Sequence, residues 1–130
     1  RRGLYERCTA LGAVFPGVLS PNSYVSPTAS MGDGTAVMHG AILNAGSHVG
    51  QQCIVNSNAT VEHDAVVEDF CHISTGALVN GGAFIGEGSF IGSGAIVREG
   101  VRIGREVVVG AGARVMTDLA DGTVFKGGTL

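Results

Sequence analysis

The chain has 130 residues; 45% are hydrophobic, only 5% are aromatic, none is Trp, and the formal charge is −3 at pH 7. That length suits one domain, and that composition a core of small and branched aliphatic side chains. The eight basic residues are scattered, with only Arg1 and Arg2 adjacent. No apolar run reaches the ~20 residues a membrane helix needs, so nucleic-acid partners, membrane-surface binding and a membrane span are all excluded by pattern.

In chain order, residues 1–22 come first. The opening has weak helical character over 1–12, and "FPGVLSPNS" reads as a linker; with no initial Met, the segment reads as the remnant of a longer protein. Cys8, Cys53 and Cys71 are odd in number and lack C-x-x-C spacing, which disfavours a disulfide framework or a zinc knuckle and fits a reducing cytoplasm.

Residues 23–118 carry a period of six. From Val25 to Val115, sixteen consecutive positions at that step are aliphatic. The position two residues before each one is small or β-branched, from Ser23 through Cys53 and Cys71 to Ala113. One large and one small inward residue per six suits a short strand and a tight turn. Three such units close a triangular coil of eighteen residues, with each strand pairing one coil away. Gly or Asn follows the aliphatic in nine of the sixteen repeats, which predicts positive φ at that position. The pattern predicts a left-handed parallel β-helix of about five coils, roughly 25 Å long at strand spacing. Residues 119–130 read as a turn and an extended tail.

The residue before each aliphatic points outward, and these rows are not uniformly polar. One face reads Tyr24, Ile42, Thr60, Leu78, Ile96, Arg114; a second reads Ser30, His48, Val66, Phe84, Arg102; the third reads Ala36, Ile54, His72, Phe90, Val108. Exposed apolar rows predict burial against partners, and a three-sided prism packed on copies of itself closes as a homotrimer.

The eighteen-residue stack also gives the histidines neighbours. His63 falls at a corner between Ala45 and Gly81, flanked by Glu62 and Asp64, with small or amide residues above and below. It is either a solvated corner residue or a base with cleared space beside it. His72 lies in an outward row between Ile54 and Phe90. Nine residues is half a coil, so the two histidines can meet only across a subunit boundary. His39 and His48 read as surface or interface residues, and Cys53 and Cys71 as core.

The stretch "NSNATVEHDAVVEDFCHISTGALVNGGAFIGEGSFIGSGAIV" resembles the hexapeptide-repeat acyltransferases of bacterial surface-glycan synthesis, the family of sialic-acid O-acetyltransferases and UDP-4-amino-sugar N-acetyltransferases. The resemblance implies acetyl-CoA as donor, no metal, and a hydroxyl or amino group of a sugar or nucleotide-sugar as acceptor. By position it makes His63 the general base and Asp64 the acid that orients it. It places Asn56 and Glu62 on the acceptor side. On the donor side fall His72 from the neighbouring subunit, Gly81 with its N–H toward the acetyl carbonyl, and Ser93, Gly94 and Ala111 along the pantetheine arm. Members of the family carry an N-terminal nucleotide-sugar-holding domain and tend to end in G-x-P-A, where this chain has Gly127-Gly128-Thr129-Leu130. Two other readings stay open: a structural or inactive β-helix, and a carbonic-anhydrase-like metal hydratase. The latter shows an H-x₄-H pair, and no two histidines here are five apart.

Overall fold

A computed structural model describes residues 1–127. It is a left-handed parallel β-helix of about six turns with one short N-terminal helix. Eighteen two-residue strands form three parallel sheets of seven, six and five strands, one per side of the prism. The pairing follows the eighteen-residue step: Leu78 lies between Thr60 and Ile96, His72 between Ile54 and Phe90, and Phe84 between Val66 and Arg102. The three outward rows are therefore real sides, called here the Tyr24, His48 and His72 faces. The corners between them are the His63 corner (Tyr24 to His48 face), the Phe70 corner (His48 to His72 face) and the Ser93 corner (His72 to Tyr24 face).

The interior is the predicted pair of columns. Every large position from Val37 to Val115 is buried, as is every small one from Thr35 to Ala113. One small column is polar for a reason the sequence reading did not supply. Thr35, Cys53, Cys71 and Ser89 donate to the carbonyls of Gly50, Glu68, Gly86 and Gly104 at 2.6, 3.1, 3.2 and 2.8 Å. Each hydroxyl or thiol thus satisfies a corner carbonyl that burial would leave costly. Hydrogen bonding between the two thiols, followed by burial, pushes Cys71 far above its ordinary value and draws Cys53 below its own; both are sealed in the core, which keeps either from meeting a substrate.

The structure departs from expectation at three places. Positive φ falls three residues after the aliphatic, at Gly40, Gly46, Gly76 or Gly94, rather than one after it. The glycines at the first offset answer to a different constraint: a Cβ on Gly32 would meet Gln51 N at 2.6 Å and one on Gly92 Val109 O at 2.6 Å, so there it is close stacking of coils that requires Gly. Second, the coil starts earlier than 23. Val18–Leu19 pair with Ala36–Val37, and Pro21 and Asn22 of the supposed linker take the turn that follows.

Third, the repeat does not stop after Val115. Val108–Val109 pair with Val124–Phe125, sixteen residues on instead of eighteen, and Ile103 bridges Leu119. Two residues are lost from this coil and the period resumes, so residues expected as a tail from 119 form coil through Phe125. At the slip, the Asp118 carboxylate accepts the Arg102 N–H at 2.9 Å, where a backbone carbonyl serves in regular coils. Of the expected tail ending, Gly128, Thr129 and Leu130 lie outside the described residues.

Helix α1 (Arg2–Ala10) has no side-chain N-cap and no buried residue. So short a helix is marginal by itself, and docking over the Phe70 corner holds it. Tyr5 sits between Phe15 and Phe70, with ring centroids 5.3 and 5.5 Å away, and donates to Gln51 Oε1 at 3.1 Å. The Arg2 guanidinium lies 4.6 Å over the Phe70 ring and 2.9 Å from Glu87. Phe70 itself has φ +59°, a region bulky residues avoid, and the helix covers it.

Candidate functional site

The nine residues singled out by sequence fall into two groups on one chain. The first is the His63 corner. His63 Nδ1 stands 3.1 Å from Asp64 Oδ2, with side chains 65% and 74% exposed. Asp64 adopts φ +60°, which aims its carboxylate back along the corner toward the ring. Glu62 Oε2 accepts the His63 N–H at 3.3 Å and Asn44 Nδ2 at 3.1 Å, so this acid braces the backbone of the corner and not the imidazole.

The space expected beside the imidazole is filled by the imidazole itself. A Cβ on Gly81 would lie 2.5 Å from His63 Nε2, and one on Gly46 2.4 Å from Asp64 Oδ1. The dyad lies flat across two glycines, His63 over the coil above and Asp64 over the coil below. Gly81 has a further property. Asn44 and Asn56 turn a side-chain oxygen onto the next N–H, of Ala45 and Ser57. Asn80 instead donates to Val97 O at 2.9 Å, and among the described residues no acceptor meets the Gly81 N–H.

The second group lies across the Tyr24 face. His72 is half-buried on its strand, edge-on to Phe90 with centroids 5.1 Å apart and rings at 79°. Its Nε2 is 3.3 Å from Asn56 Nδ2. Burial, with a smaller contribution from the Arg1 guanidinium, lowers its proton affinity below that of an ordinary histidine. Beside it runs the Ser93 corner, where Thr75-Gly76, Ser93-Gly94 and Ala111-Gly112 stack, linked by Gly94 N–H to Thr75 O at 2.9 Å and Gly112 N–H to Ser93 O at 2.8 Å. Ser93 Oγ is bonded to Ser74 Oγ at 2.9 Å, and no heavy atom lies within 4 Å of where a Cβ would stand on Gly76, Gly94 or Gly112. The result is an open edge of stacked backbone with no side chain standing over its glycines.

So the structure joins His63, Asp64, Glu62 and Gly81, and separately Asn56 and His72 beside Ser93, Gly94 and Ala111. It makes no contact between the two histidines. The Asn56–His72 bond was missed in the sequence, although its signal was present: Asn56 follows Val55, and His72 precedes the Ile73 that stacks on Val55. His39 and His48 bond to Ser20 and Ser30 of the coil below, at 2.5 and 2.7 Å, and join neither group. A groove of about 640 Å³ on the His48 face, lined by Phe84, Arg102 and Arg105, includes none of the nine. Among the described residues no group of three or more His, Cys, Asp or Glu is placed to hold a metal ion, and no helix is long and apolar enough to cross a membrane.

Fold and site together define a hexapeptide-repeat β-helix with a histidine–carboxylate dyad on one corner. Residues 82–116 match the bacterial transferase hexapeptide (six repeats) family. Among solved structures, the chain is similar to the acetyltransferase domain of PglB from Neisseria gonorrhoeae, in complex with acetyl coenzyme A. Identity is 43% and TM-score 0.91, over 93% of this chain and 59% of that one. A GDP-perosamine N-acetyltransferase variant from Caulobacter crescentus, in complex with CoA and GDP-perosamine, is 36% identical with TM-score 0.91, over 93% and 58%. WeeI from Acinetobacter baumannii is 26% identical with TM-score 0.87, over 95% and 63%. The chain thus spans about three fifths of the length of the structures it matches. No curated protein matches it by sequence. The chain belongs to the hexapeptide-repeat left-handed β-helix family, and the solved structures it is similar to include acetyltransferases holding acetyl coenzyme A or CoA.

Proposed function

We propose that this chain is the acyl-transferring β-helix of an acetyl-CoA-dependent sugar acetyltransferase, with His63 as general base. The observation that carries the reading is the dyad laid over Gly81. Asp64 occupies one ring nitrogen of His63, so the other, Nε2, carries the free lone pair. That lone pair lies against a glycine whose N–H meets no acceptor among the described residues. A proton acceptor and a hydrogen-bond donor therefore stand side by side at one exposed corner.

Acetyl-CoA would supply an activated acyl carbonyl, and the backbone-floored Ser93 corner fits a slender donor arm, with Ser93, Gly94 and Ala111 along it. His63 Nε2 takes the proton that the acceptor's hydroxyl or amino group loses as it attacks the thioester carbonyl, and the C–S bond then breaks to release the CoA thiolate, which that proton neutralises. Asp64 holds the Nδ1–H tautomer and favours the imidazolium that forms, as the acid of a triad does. The Gly81 N–H is the group available to charge developing on the carbonyl oxygen. Glu62 acts on the acceptor side through the backbone it braces, and Asn56 through His72.

The two groups lie on opposite borders of the Tyr24 face, so one chain cannot combine them. A homotrimer in which the His63 corner of one subunit meets the Ser93 corner and His72 of the next completes three equal sites. Half-buried Ile42, Leu78 and Ile96 on the face between them support that packing. A nucleotide-linked amino sugar is the first acceptor to test, since the matched Caulobacter structure is an N-acetyltransferase holding GDP-perosamine.

The test is to incubate the protein with acetyl-CoA and a panel of UDP- and GDP-amino sugars and sialic acids, following free thiol. Turnover with one acceptor is expected. His63→Ala should lose about 10²–10⁴ of it while keeping acetyl-CoA binding and assembly; unchanged turnover removes His63 from the reaction. A monomer in light scattering at micromolar concentration would refute the shared site.

A further inference from the structure

Two hydrogen bonds around Asn56 determine more than its place. Asn56 Oδ1 lies 2.8 Å from the Ser57 N–H. A backbone N–H can only donate, so the atom facing it is the amide oxygen, and the amide's orientation follows without the usual ambiguity. The atom 3.3 Å from His72 Nε2 is then the amide nitrogen. That nitrogen can only donate, so Nε2 must offer its lone pair. A neutral imidazole that accepts at Nε2 carries its proton on Nδ1, and an imidazolium would set N–H against N–H.

We infer that Asn56 is a positioning residue that holds His72 neutral in the Nδ1–H tautomer, so that His72 serves as a fixed hydrogen-bond donor and never as a base. Resting on the acyltransfer reading, this deepens it, because it divides labour between the two histidines. A carboxylate stands at Nδ1 of His63 and leaves Nε2 open to a proton, whereas an amide N–H occupies the Nε2 lone pair of His72. Such opposed surroundings are how two like groups acquire different acid–base roles. The other neighbours of His72 act in the same direction. Ile54 and Phe90 flank it in the sheet, with Phe90 edge-on, and the charge brought near it is the Arg1 guanidinium. Arg1 is held there by its own bond from Nε to Gln52 O at 3.1 Å.

Long-range ¹H–¹⁵N correlation spectra of the ¹⁵N-labelled protein, followed through pH, read tautomer and protonation at each ring. His72 is expected as Nδ1–H and mostly neutral at pH 6.5, where an ordinary histidine is half protonated. Asn56→Asp keeps the Ser57 cap but replaces the donor with a carboxylate, and should raise the proton affinity of His72 by roughly tenfold or more. Asn56→Ala should release the tautomer preference. Nε2–H at His72 in the unsubstituted protein, or an unchanged ring in both variants, overturns the inference. The spectra need no turnover. An inactive protein with His72 as Nδ1–H would therefore count against acyltransfer alone, and an active one with Nε2–H against this inference alone.

Discussion

His63 and His72 are nine residues apart on one repeat, yet they occupy contrasting environments. His63 sits at a corner, where the left-handed φ of Asp64 and the missing side chains of Gly46 and Gly81 let two polar groups lie flat in solvent. His72 sits on a strand, with the core behind it, sheet neighbours on both sides and an amide at its only bonded nitrogen. The difference teaches where this fold can do chemistry. Corners tolerate irregular side chains because only their backbone belongs to the ladder, whereas a strand position inherits burial from the sheet. Charging a strand histidine costs it the hydration that burial removes.

That contrast can be broken from either side. Removing the imidazole in His63→Ala is the largest effect, as given above. The strand side fails through its support: Ile73 is fully buried directly behind His72, and Ile73→Ala should cost about 2–5 kcal/mol of folding stability, measured by urea unfolding. The same loss from a corner substitution such as Gly82→Asn would erase the distinction between frame and corner.

Gly81→Ala comes next, and it isolates geometry from stability. The new methyl would crowd His63 Nε2 at 2.5 Å, but the ring it meets is exposed and can swing aside, so the melting temperature should hardly move. Turnover should fall by about 10²-fold, the usual cost of misplacing a catalytic group by an ångström. A fall in both together would mean the glycine serves the coil and not the ring.

Asp64→Asn is milder. Asn tolerates the same positive φ, and an exposed ion pair is worth about 0.2–1 kcal/mol, so up to roughly fivefold in turnover is expected. A loss beyond a hundredfold would show that assembly dries this corner.

The smallest effect reads the surroundings of His72 through stability. His72 binds a proton less readily folded than unfolded. The unfolded chain therefore takes up more protons, and stability declines as pH falls through the ordinary histidine value of 6.5. His72→Gln should flatten that acid decline in urea midpoints, and an unchanged decline would remove His72 as its source.

The fold and half of the site were legible in the residues. Val25 to Val115 announced the coil, its three faces and the stacking of His63 on Gly81, because a strict period leaves no freedom in which residue lies over which. Where the period falters, reading by pattern falters too. Leu19 kept the step but sat among Pro16, Gly17 and Pro21, and turn residues outweighed one aliphatic. Leu119 and Phe125 kept it only after a slip of two, which a fixed step cannot follow. The glycine offset went astray because two different demands, positive φ and close stacking, select the same residue.

By itself, then, the sequence determined the inward columns, the register of every face and the half-coil separation of the two histidines, since all three follow from a six-residue step. Only the tertiary structure decided how each ring is held: Asp64 on Nδ1 of one, the Asn56 amide on Nε2 of the other, and the Gly81 N–H left open by the turn of Asn80. Those are choices of side-chain rotamer at stacked positions, where a repeat specifies the neighbour but not which of its atoms it presents.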